Sequence, residues 1–211
     1  NTGAANGMVA IGFEAMSSFT GGNIDSSVAI GEYALNTGTA FHSNVAIGPF
    51  ALRYTTGDLN VAIGKDAAYN MTAGDDNVAI GYLALGLGND ASDNVVIGSR
   101  AGYNSVKTQL STFVGYQAGE NATGSYNTFV GAQAGEGATT SAPFSSGQYN
   151  TALGFEALKG FTTANNNVAL GYQAGKAITT GYANIVIGQG AGDSLTSGFK
   201  NTAIGAGALA S

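Results

Sequence analysis

The apolar residues of this chain come in triplets, and each triplet ends on a glycine. Val9-Ala10-Ile11 precedes Gly12, Val28-Ala29-Ile30 precedes Gly31, and the pattern runs on to Thr202-Ala203-Ile204 before Gly205. The third residue is always Ile, Val or Leu, and the first is Val, Ile or Thr. The middle residue is usually Ala, with Val at Val96 and Val186 and Phe at Phe113 and Phe129. Twelve such units follow one another at spacings of 16 to 19 residues, with a single spacing of 23 between Gly131 and Gly154. Two columns are nearly as regular. Ala stands three residues after every motif glycine, and Asn stands four before it in nine units, from Asn44 to Asn201. A short, near-constant period over a whole chain marks a stacked repeat.

The alternation within a triplet predicts a short strand. β-branched residues two apart share one face, and the small residue between them faces the other way. About seventeen residues hold two short strands and two tight turns, which is one coil of a β-solenoid. About twelve coils stacked at about 4.8 Å make a rod of about 55–60 Å. The expected interior is the β-branched side, with Ile11, Ile30, Ile47, Ile63 and Ile80 in one inward row. The invariant Ala column, including Ala118, Ala134 and Ala174, marks a place where only a methyl fits, in the core or against a partner chain. Phe113 and Phe129 are expected to stack as a core or interface plug. The Asn column is placed to bond from coil to coil. Helices are ruled out by the 34 glycines, which interrupt every apolar stripe and cost about 1 kcal/mol each in a helix interior.

Composition narrows the partners. Charged residues are 9% of the chain and the net charge is −6. The seven Lys and Arg are scattered, so neither nucleic acid nor an anionic membrane surface is an expected partner. No apolar run is long enough to span a membrane. There is no Cys to staple the rod. The low-charge, small-residue surface predicts self-association, for which a coaxial homotrimer is the familiar arrangement of a thin β-roll. The whole of 1–211 reads as a single repeat domain, in repeat phase at both ends, and as a segment of a longer fibre.

The run Asn-Val-Ala-Ile-Gly-x-x-Ala resembles the head repeats of trimeric autotransporter adhesins. Tyr126-Asn127-Thr128-Phe129-Val130-Gly131-Ala132-Gln133-Ala134-Gly135 and Asn201-Thr202-Ala203-Ile204-Gly205-Ala206-Gly207-Ala208-Leu209 are similar to the arrays of phage tail fibres that carry an endosialidase-type chaperone domain. The autotransporter coil is shorter than the seventeen residues here. The resemblance implies a left-handed trimeric β-roll, extracellular, at a cell surface or on a virion, used for attachment.

Function is expected where the repeat deviates. The long unit carries an insertion at 136–149 whose Pro143, Phe144, Gln148 and Tyr149 are candidate receptor contacts, since solenoid insertions project from one face. Phe41 and His42, in a second irregular stretch, are further candidate receptor contacts. Gln117, Gln133, Glu156 and Gln173 share one column and read as a polar ladder or a glycan-facing strip. The acidic residues Glu14, Glu32, Glu120, Glu136 and Glu156 stand singly in different coils, unlike the paired carboxylates of glycosidases. No catalytic residues, metal ligands or cofactor are expected. The expected partners are the chain itself and a cell-surface glycan or protein. A fibre-borne depolymerase with an intersubunit carboxylate site and a passive spacer shaft are the alternatives.

Overall fold

A computed structural model describes residues 5–19, 24–38, 41–138 and 144–210. The twelve triplets form twelve three-residue strands in one parallel sheet, running in chain order from Val9–Ile11 to Thr202–Ile204. Pairing is in register throughout. Val78, Ala79 and Ile80 lie beside Val61, Ala62 and Ile63 on one side and Val95, Val96 and Ile97 on the other. The chain is an all-β parallel solenoid of about eleven turns, with no helix among the described residues.

The second strand expected in each coil forms only near the N-terminal end. There Ala5–Asn6, Ile24–Asp25 and Phe41–His42 pair, as do Ser18–Phe19 and Thr37–Gly38. Farther along, isolated bridges such as Ser92 to Gln109 take its place. The remainder of each coil is turn, and the turns use left-handed backbone heavily. Leu83 and Leu85 have φ of 55° and 52°, and equivalent residues in other coils repeat this. Such a conformation costs a non-glycine residue about 1–2 kcal/mol. It persists here because it reverses peptide direction. The Leu83 N–H bonds back to the Lys65 carbonyl, and the Leu85 N–H bonds forward to the Ala101 carbonyl, at 3.1 and 2.9 Å. Each corner thus finds partners in both neighbouring coils.

The motif glycines sit where neighbouring coils lie close together. Gly115 has φ of 138°, and a Cβ there would stand 2.6 Å from the Gly131 carbonyl oxygen. The asparagine ladder runs beside them in the buried interior. Asn94 donates from its side chain to Asn77 Oδ1 (3.0 Å) and to the Thr108 carbonyl (2.7 Å). Its backbone N–H also reaches Asn77 Oδ1, at 3.1 Å. Where Ser111 replaces Asn, its Oγ accepts the Asn127 N–H at 3.1 Å, so the ladder continues across the gap.

The strand faces are the reverse of the expectation. Ala29, Ala46 and Ala62 point inward and are fully buried, while the flanking Val and Ile stand half-exposed on the outside. Ile11, Ile30, Ile47, Ile63 and Ile80 are therefore not an inward core row. The interior of so short a coil lacks room for two β-branched side chains from one strand. Ala118, Ala134 and Ala174 are also fully buried within the chain, so they serve the core and face no partner.

In most coils the core volume is shared between two positions, the middle of the triplet and the residue four after the glycine; where both are small, as at Ala62 with Ala68 and Ala169 with Gly175, the buried Met71 and Ile178 take up the space. Where the middle is Ala, as at Ala29, Ala46, Ala79 and Ala152, the other is Leu35, Leu52, Leu85 or Leu158, each fully or almost fully buried. Where the middle is Phe113 or Phe129, the other is Gly119 or Gly135. A Cβ at those glycines would lie 2.8 and 2.4 Å from the nearest ring atoms. The two rings stack 5.3 Å apart and Phe161 meets Phe129 edge-on, all inside the coil. Phe113→Ala should destabilise by about 3–5 kcal/mol, through lost burial and a cavity. Adding Gly119→Leu should recover most of this, because Leu158 holds the same place with φ of 51° against 59° at Gly119. Thermal melts of the two variants check this. A double variant no more stable than the single one contradicts the shared volume.

Candidate functional site

The outward Val and Ile residues form an apolar strip along the outer face of the sheet. Its inner row has Ile, Val or Leu in every coil, and the parallel row has Val or Ile in eight coils and Thr in four. In interior coils Val95 is 38% exposed, Leu153 51% and Ile185 41%. Contiguous apolar surface of this kind is uncommon on a soluble monomer and marks an interaction site.

The two ends of the insertion are anchored at Ser145. The Ala138 N–H bonds to Ser145 Oγ at 2.9 Å. Ser145 then bonds to the Asn121 carbonyl through its N–H and to the Phe161 carbonyl through its hydroxyl, at 2.9 and 2.6 Å. Ser145 thus occupies the position that Ala122 holds one coil earlier. Pro143 lies outside the described residues, and Phe144 is half-buried at the base. Gln148 is half-buried with its N–H on Asn165 Oδ1, so it belongs to the coil. Tyr149 is 54% exposed and stacks on Tyr126 at 4.9 Å. The backbone of Phe41 and His42 is in a strand, with the His42 N–H on Asp58 Oδ1 at 2.6 Å. The side chain of Phe41 lies outside the described residues.

The amide column is a ladder. Gln133 donates to Gln117 Oε1 at 3.0 Å, and Gln173 donates to Glu156 Oε2 at 2.7 Å. The acidic residues that stand apart in sequence meet here. Lys159 Nζ lies 2.9 Å from Glu156 Oε1 and 3.2 Å from Glu136 Oε2, while Lys176 reaches Glu156 at 2.7 Å. Glu120 pairs with Arg100 in the same strip. Hydrogen bonds from Lys176, Gln173 and Lys159 bring the Glu156 carboxyl down to about 2. A carboxyl held ionised in this way is unsuited to donate a proton as a general acid. Among the described residues no group of three or more His, Asp or Glu is placed to hold a metal ion.

An aromatic nest that sequence reading missed surrounds Arg53. Its guanidinium lies 4.9 to 5.9 Å from the ring centres of Tyr33, Tyr54, Phe50 and Tyr69. Nη1 bonds to the Tyr69 hydroxyl, which donates to that of Tyr54, at 3.3 and 3.4 Å. The column after Ala51 and Ala67 carried the signal, since Arg53-Tyr54 and Tyr69-Asn70 occupy matching places. Tyr54 also walls an open groove of about 440 Å³ that crosses four coils, with Asn70, Thr72, Leu87, Asn89 and Val106.

No family model, curated protein or solved structure matches this chain.

The Glu156 network predicts a pH dependence. The carboxyl is lowered from 4.5 to about 2 on folding, so its stabilisation is complete above the unfolded value and drains away as pH falls from about 4.5 to about 2. Melting temperatures of the wild type and of Glu156→Gln should differ at pH 7 and converge through that window. A constant gap down to pH 2 contradicts the assignment.

Proposed function

We propose that this chain is a structural and adhesive segment of a coaxial homotrimeric fibre, a left-handed β-roll working outside a cell or on a virion. The observation that carries the reading is the apolar strip on the outer sheet face. Three copies around a common axis would bring three such strips together and remove them from water. Burial of apolar surface is worth about 25 cal/mol per Å², and a strip the length of the rod supplies a large area. The low charge of the chain and the resemblance of its repeat to attachment fibres support the same reading. The interior of the coil is committed to stacking, so receptor contact falls to the turn-rich side and the irregular places, with the insertion between Ala138 and Ser145 first. Three copies of a weak contact on one shaft gain by avidity. The depolymerase alternative is disfavoured because Glu120, Glu136 and Glu156 are each neutralised by Arg or Lys.

Two measurements test the proposal. Sedimentation equilibrium should return three times the 20.9 kDa chain mass, and Ile80→Lys with Ile97→Lys on the strip should return one. A stable wild-type monomer at micromolar concentration removes the trimer. Excising Ala138 to Phe144, with Ser145 kept as the coil residue, should preserve the trimer and its melting behaviour while reducing binding to target cells. Full binding after the excision makes the insertion ornamental.

A further inference from the structure

We infer that the groove beside Tyr54 is a binding site for an uncharged sugar unit. The inference deepens the attachment reading, rests on it, and places recognition on the regular shaft. A volume of about 440 Å³ lies within the range of about 300–1,000 Å³ for small-ligand sites. Its lining mixes one aromatic ring and two aliphatic side chains with two amides and a hydroxyl, and includes no charged residue. A pyranose offers the complementary set, apolar C–H faces and a rim of hydroxyls.

The polar groups are not all used by the fold. In the column of Asn70, the later Asn104 donates to Asn121 Oδ1 at 2.7 Å. Asn70 has Tyr54 and Leu87 as its column neighbours, and no hydrogen bond engages its side-chain amide among the described residues. Asn89 accepts from Thr72 through Oδ1, and its Nδ2 donors have no protein partner among the described residues. The aromatic wall is prearranged. Tyr69 bonds to the Tyr54 hydroxyl and packs edge-on against its ring at 5.2 Å, and Arg53 covers the ring at 5.0 Å. Such a ring loses little freedom when a ligand arrives. No cation is among the lining residues: Lys107, next to Val106, pairs with Asp90 at 3.6 Å, and the Arg53 guanidinium is taken up by the rings of Tyr33, Phe50, Tyr54 and Tyr69.

The test uses the whole chain on an array of neutral oligosaccharides of glucose, galactose, mannose and N-acetylglucosamine, printed beside sialylated and sulfated forms. The expected result is binding to a subset of the neutral glycans. Asn70→Ala should weaken that binding at least tenfold. Leu87→Trp, which fills the groove, should abolish it. Asn70→Ala should keep the wild-type melting temperature and sedimentation, because its side-chain amide makes no hydrogen bond among the described residues. Binding confined to charged glycans, or neutral binding unmoved by both variants, overturns the site. An empty array with intact adhesion to cells overturns the sugar site and leaves the attachment reading standing. An empty array with no adhesion removes both.

Discussion

The fold depends on how closely one coil lies on the next. Parallel stacking brings backbone within hydrogen-bond reach of backbone all round the coil, and the Gly115 position shows how little space remains. Everything else is an adjustment to that approach. The motif position admits no Cβ. The left-handed corners turn N–H groups alternately up and down the stack. The Asn side chains fill the remaining gap in the ladder, each serving two coils. The energy is spread over many similar bonds, so the solenoid has the nearest-neighbour character of repeat proteins. A local defect such as Ser111 in the Asn column is bridged by its own hydroxyl and does not end the stack.

The same closeness makes the interior thin, and this is where reading from the sequence went astray. The period, the strand at each triplet, the Asn ladder and the stacking of Phe113 on Phe129 were all visible in the residues. The direction of the strand face was not. Alternation says that Val and Ile share a side, but it leaves open which side faces the core, and the usual assumption of large apolar residues inside gives the wrong sign here. A signal was present. Glycine at 119 and 135 accompanies Phe at 113 and 129, whereas Leu at 35, 52, 85 and 158 accompanies Ala in the triplet. Such compensation makes sense only if both positions share one closed volume. It puts the middle residue inside and its neighbours outside.

The site residues divide on similar lines. The insertion was visible as a spacing, but its anchoring through Ser145 was not, because the column that Ser145 joins is irregular, holding Ser105, Ala122 and Phe161, and only the structure shows that Ser105 and Ser145 make the same bond to the next coil's carbonyl. The glutamates looked isolated because their partners lie one coil away, as Lys159 does from Glu136 and Lys176 does from Glu156. In a solenoid, residues about seventeen apart in sequence are lateral neighbours. Chemistry has to be read down columns, and the Arg53 nest emerges only when the columns of Tyr33, Phe50, Arg53 and Tyr69 are laid side by side.

A rod of this kind separates its tasks by direction. The interior is closed by alanine, leucine and phenylalanine and has no capacity for function. The sheet face outside is apolar and suits another copy of the chain. What remains for recognition is the turn-rich side, where the αL corners hold side chains at fixed heights without strand pairing to constrain their identity. The corner residues vary from Glu14 to Tyr33 to Arg100 while the φ values of the non-glycine residues in that column stay between 48° and 62°. The backbone there is set by the stack and the side chain is free to change. Differences in surface chemistry between coils therefore cost the fold little, and a groove such as the one walled by Tyr54 and Asn70 arises by altering a few column residues on an unchanged frame.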